Sequence, residues 1–120
     1  MLRQQLKRKG IILMRKAEVY LFGELAGFIE EKEPRGYRFW YDAEYLGKAD
    51  SIPLSPLMPL TGETVESEAL PAFFDGLIPE GWLLDIAEKT WKLNPRDRFG
   101  CLLSCCRDCI GAASVREVVQ

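Results

Sequence analysis

Between Ala17 and Phe22 the chain reads AEVYLF, alternating polar and apolar positions and rich in β-formers, which predicts a half-buried strand. Gly23-Glu24 follows as a two-residue turn, and a glycine at the first turn position suits a type II′ hairpin. Leu25 to Glu31 then reads as the second strand. "EPRG" at 33–36 punctuates the chain again, and Tyr37 to Tyr41 (YRFWY) reads as a third strand. With Tyr37, Phe39 and Tyr41 facing a core, Trp40 points to the opposite face or contacts helices. The expected unit is an antiparallel β-meander.

The period then changes. Asp42 is placed to cap a short helical turn, Ala43 to Leu46. Residues 47–66 carry Pro53, Pro56 and Pro59 with Gly47 and Gly62, so they read as extended chain or loop, with short edge strands around Leu54 and Leu60. Ser67 is a candidate N-cap for a helix that tolerates Pro71 in its first turn and places Leu70, Phe73, Phe74 and Leu77 on one face. Pro79 ends it. Glu80-Gly81 opens a second helix with an apolar stripe of Leu83, Leu84, Ile86, Ala87 and Trp91, closed by "LNP" at 93–95. Asp97 starts a third helix through Phe99, Leu102, Leu103 and Cys106, and Cys109 to Val115 returns as a short strand. Strands first, helices second and one returning strand predict an α+β domain: a β-meander, a small helical cluster and a final strand.

Composition narrows the function. The 120 residues suffice for one domain, and a 48% hydrophobic content supplies a core without cross-links. A net charge of −2 gives no reason to expect a broad nucleic-acid surface. There is no histidine, which removes Ser-His-Asp and Cys-His catalysis and His-ligated metals. No apolar run approaches the roughly 18 residues of a membrane span. Residues 1–13 are basic and differ from the rest, either an upstream extension before Met14 or a short helix on the domain. The apolar stretch Ile11 to Met14 is too short for a signal peptide, so a cytoplasmic location with reduced thiols is expected. Arg3, Lys7, Arg8, Lys9, Arg15 and Lys16 form the basic cluster, read as a solvated tail or a contact to DNA held by a partner. The remaining residues, 14–120, form the domain.

The thiols Cys101, Cys105, Cys106 and Cys109 fall within nine residues. A structural zinc site normally uses two separated ligand pairs arranged tetrahedrally, and adjacent Cys105 and Cys106 point about 100° apart on a helix. A thioredoxin-like C-x-x-C would close a strand and open a helix, whereas Cys106-x-x-Cys109 does the reverse. Buried thiols acting as small hydrophobes suit the neighbouring Leu, Ile and Ala, so neither metal nor cofactor is expected.

This same stretch carries a resemblance. Asp97-Arg98-Phe99-Gly100-Cys101-Leu102-Leu103 followed by Arg107-Asp108-Cys109-Ile110-Gly111-Ala112 is similar to the close of the N-terminal subdomain of the HipA family of serine/threonine kinases. "VYLFGELAG" (19–27) resembles that family's opening hairpin, and "YRFWYDAEYL" (37–46) its third strand and following turn. "PLSPLMPL" (53–60) resembles P-L-S-x-S-x-P-L, with Leu57 in place of the second serine. "FFDGLIPEGW" (73–82) resembles F-F-x-x-L-L-P-E-G. The segments keep the family's order over about residues 17 to 115, and of the four thiols only Cys109 is typical of it. The chain holds no Gly-rich phosphate loop and no catalytic-loop Asp/Asn pair, and "DRFG" at 97–100 has an arginine inside what would be D-F-G. The resemblance therefore implies a non-catalytic module.

In split systems resembling HipA, this subdomain is a separate small protein, HipS, beside a shortened kinase, HipT, and a DNA-binding protein, HipB. The resemblance implies an antitoxin that binds a HipA/HipT-like kinase and neutralises it by occlusion, with a HipB-like protein as a further partner. The other reading is a separately encoded subdomain that completes and activates a split kinase. Aromatic residues dominate interface energetics, so Trp82 is the expected anchor, with Phe74, Asp75, Glu80 and Asp85 nearby and Ser55 as a further candidate. The competing readings are that Trp82 packs on the sheet and that Ser55 is a solvated turn residue.

Overall fold

Lys16–Leu21 (β1), Glu24–Glu31 (β2) and Tyr37–Tyr41 (β3) pair as an antiparallel meander in a computed structural model that describes residues 14–78, 81, 89, 96–106 and 112–118. Val65–Ser67 (β4) pairs with β3, and Ala113–Glu117 (β5) returns beside β1, so the strand order is β4-β3-β2-β1-β5. The fold is the expected α+β arrangement. Alternation sorts the side chains: β1 buries Ala17, Val19 and Leu21 and leaves Lys16, Glu18 and Tyr20 on the other face.

The hairpin differs from expectation by one residue. Leu21 pairs with Glu24, so Phe22 and Gly23 form the turn. Their φ angles are +51° and +80°, the two left-handed residues of a type I′ turn rather than the single one of type II′. The glycine takes the second position, and Phe22 bears the backbone cost while its N–H donates to the Ala112 carbonyl at 2.6 Å.

Further along β2, the register slips between Val19 opposite Gly27 and Tyr20 opposite Leu25, leaving Ala26 as a bulge. The Ala26 carbonyl accepts from the Asp42 N–H at 2.8 Å. That bond sets the start of Ala43–Gly47 (α1), which Asp42 caps through the N–H groups of Glu44 and Tyr45, as the sequence predicts. A Cβ at Gly27 would run into the Trp40 carbonyl, so glycine there lets β2 and β3 pair closely.

Ser67 does not cap a helix. It ends β4, opposite Tyr37, and its hydroxyl donates to the Ala69 carbonyl at 2.7 Å. The edge strand thus lies at 65–67 and not around Leu54 or Leu60, where the described pairing is a single Ser55–Met58 bridge. Ala72–Asp75 (α2) starts only after Pro71, whose fixed φ suits a helix start and whose missing N–H costs nothing there. Asp97 caps Arg98–Cys105 (α3) by accepting from the Gly100 N–H, as expected. The apolar stripe expected over Leu83 to Trp91 lies outside the described residues, as do residues 1–13.

α2 and α3 cover one face of the sheet. Phe39 from β3, Phe74 from α2, Phe99 and Leu102 from α3, and Val19, Ile29 and Val115 from the strands are fully buried. Each such side chain contributes about 1.5–3 kcal/mol of burial free energy. Cys101 and Cys106 lie within this core and Cys105 packs against it; the Cys106 thiol donates to the Leu77 carbonyl at 3.0 Å. Their surroundings match small hydrophobes. Among the described residues no group of three or more His, Cys, Asp or Glu side chains could hold a metal ion, and no helix is long and apolar enough to cross a membrane.

Candidate functional site

Where β3, β4, α2 and α3 meet, polar chemistry gathers around Tyr37. Its ring packs edge-on against Phe99, with centroids 5.6 Å apart. On one side stands an ion-pair network. The Arg15 guanidinium donates to both carboxylate oxygens of Glu31 at 2.9 Å and to both oxygens of Asp97 at 2.9 and 2.8 Å. It also lies over the Phe99 ring. The start of β1, the end of β2 and the cap of α3 are thereby joined. The Glu31 hydrogen bonds, helped by those of Asp97, hold Arg15 still more firmly protonated than usual, against the opposing effect of burial.

On the other side of Tyr37 is a cavity of about 480 Å³, lined by Tyr37, Glu68, Ala69, Leu70, Ala72, Asp75 and Arg98. Asp75 Oδ1 accepts from Arg98 Nε at 2.9 Å, bridging α2 and α3 at its edge. Partial burial, followed by the negative charge of Glu31, raises the Tyr37 hydroxyl above its ordinary pKa; Asp97 and Asp75 add to this and Arg15 opposes it.

Several residues named from sequence can be placed. Asp75 is half-exposed and lines this cavity. Phe74 is a correction: it has no exposed surface, packs on Phe39 and Phe73, and cannot touch a partner from this position. Its side of α2 is the core side, which the helical spacing alone could not separate from a docking side. Ser55 accepts from the Leu57 N–H at 3.2 Å and pairs with Met58, a turn role. Among the described residues no hydrogen bond or ion pair joins Ser55 to Asp75. Trp82, Glu80 and Asp85 lie outside the described residues. The sequence reading placed Tyr37 only on the core face of its strand and gave Glu68 no role; the pairing of β3 with β4 is what brings them to Asp75 and Arg98.

The five-stranded sheet with its short helices agrees with comparisons to known proteins. A family model described as the HipA N-terminal domain matches residues 17–116. The chain belongs to the HipA N-terminal domain family. A solved structure described as the N-terminal domain of HipA toxin shares 28% identity and a TM-score of 0.69, covering 90% of this chain and 96% of that one. A protein of Haemophilus influenzae described as uncharacterized is 33% identical over 108 residues, which is 90% of this chain and 97% of the relative. The chain is thus a HipA-related module, similar along nearly its whole described sheet to a domain of a toxin.

Proposed function

We propose that this HipA N-terminal domain is a non-catalytic antitoxin, acting in the cytoplasm, that docks on a HipA/HipT-like serine/threonine kinase and neutralises it. The observation that supports this reading is the relative's coverage: this chain aligns over 97% of the Haemophilus influenzae protein, so that relative holds little besides the same module. A module separated from its kinase core keeps the surface that once faced that core, and that surface is suited to rebinding it. The chain's sequence supplies no phosphate-binding loop or catalytic Asp/Asn pair, so its contribution is binding. Trp82 is the proposed anchor, Asp75, Glu80, Asp85 and Ser55 are further proposed contact residues, and a HipB-like DNA-binding protein is the proposed additional partner.

The test is co-purification with a HipA-type kinase, followed by that kinase's autophosphorylation rate with and without this protein. Suppression, relieved by Trp82→Ala, is the expected result. A raised rate would make the chain the missing subdomain of a split kinase and overturn the antitoxin reading.

A further inference from the structure

The cavity beside Tyr37 presents acceptors and few donors. Within the described residues, the Tyr37 hydroxyl, the Glu68 carboxylate and Asp75 Oδ2 take part in no hydrogen bond or ion pair, although all three residues line the same cavity. Arg98 supplies the cationic group on its wall and already donates to Asp75 Oδ1. On the cavity wall the carboxylates Glu68 and Asp75 outnumber the guanidinium of Arg98. A cation is therefore the charge-complementary occupant. Leu70, Ala69 and Ala72 form the apolar part of the wall, fit for an aliphatic stem. Three acceptors on separate elements suit a planar group with several donors in a fixed fork better than a compact ammonium.

We propose that the Tyr37–Glu68–Asp75 cavity is a subsite for an arginine side chain presented by the protein on which this domain docks. The guanidinium bridges Asp75 Oδ2 and Glu68 and donates to the Tyr37 oxygen, while its methylenes lie on Leu70 and Ala72. The docking half rests on the function proposed above; the preference of the cavity for a guanidinium does not.

The experiment has two arms. In the first, N-acetyl-arginine amide is titrated into the ¹⁵N-labelled full chain, with the citrulline and lysine analogues as controls. Amide shifts confined to Tyr37, Glu68, Ala69, Leu70, Ala72 and Asp75 are expected for arginine, weaker for lysine and absent for citrulline. Glu68→Gln and Tyr37→Phe, which leave the Asp75–Arg98 pair intact, should each weaken binding severalfold. Equal shifts with citrulline, stronger binding of lysine, or shifts elsewhere would overturn the subsite. In the second arm, the affinity for the HipA-type kinase used in the co-purification is compared for wild type and Glu68→Gln/Asp75→Asn, with thermal unfolding as a folding control. A loss of about tenfold or more, the size of a lost charge-assisted contact, is expected. Unchanged affinity would remove the subsite from docking and leave the antitoxin reading standing. Absence of any kinase complex would overturn that reading, while the arginine titration would still decide the cavity.

Discussion

The two faces of the sheet use their aromatic residues in opposite ways. On the face covered by α2 and α3, Phe39 meets Tyr41 edge-on at 4.9 Å and Phe74 at 5.7 Å, and water is excluded from all three. On the open face, Phe28 stacks on Trp40 at 5.6 Å, and the Lys16 ammonium sits 5.0 and 5.3 Å from the two ring centres. Arg116 lies over Tyr20, and Arg38 pairs with Glu30. The rings are of the same kinds, but their environment differs. A buried aromatic gains from dispersion and from area withdrawn from water, whereas a half-exposed ring paired with a cation gains about 0.5–1 kcal/mol. Stability therefore resides on the covered face. Among the described residues, the charges on the other face already have partners at hand, so that face offers no strong anchor.

That contrast is broken most severely at Phe39. Phe39→Ala leaves a cavity between Tyr41 and Phe74 and should cost about 3–5 kcal/mol, read from the urea midpoint. An effect under 1 kcal/mol would show that the covered face is not where the fold is held, given typical core truncations.

Arg15 lies at the seam between the faces and tests whether polar groups can matter as much as packing. Its side chain is 15% exposed and holds two carboxylates. Arg15→Met removes the guanidinium from between Glu31 and Asp97 and should cost about 2 kcal/mol, less than for a fully buried pair because Asp97 is 39% exposed. Adding Asp97→Asn to Arg15→Met should recover part of that loss in a double-mutant cycle. Strict additivity would mean that the network is solvated and contributes little.

The open face should respond more weakly. Trp40→Ala removes the stack on Phe28 and the cover over Lys16, and about 1 kcal/mol is expected. A loss as large as that of Phe39→Ala would erase the distinction between the faces.

Much of this division could be read from the residues. Period-2 alternation in β1 and β3 assigned Val19, Phe39 and Tyr41 to one face and Trp40 to the other, because a strand has only two faces. Asp42 and Asp97 marked helix starts because their side chains reach orphan N–H groups whatever the tertiary setting. Failures came where a choice depends on distant chain. Ser67 has the chemistry of a cap, yet a free edge of β3 took Val65 to Ser67 as a strand before Pro71 let α2 begin. Phe74 fitted both an interface and a core until Phe39 was placed opposite it. The Tyr37 cavity had no local signature, since its walls come from β3, α2, α3 and the β4–α2 connection.

The smallest effect is expected at a residue that belongs to neither face. Phe22 is 73% exposed at the tip of the hairpin and holds φ of +51°, a region in which a side chain with a Cβ is strained. Its apolar ring gains little there, while its backbone N–H is fixed on Ala112. Phe22→Asn keeps that N–H and supplies the Asn-Gly pair that type I′ turns favour, so the chain should gain about 0.5 kcal/mol. The readout is a small rise in the urea midpoint with an unchanged slope. A fall would mean that the exposed ring contributes contacts comparable to those of the covered face, and a stability confined to that face could not be maintained.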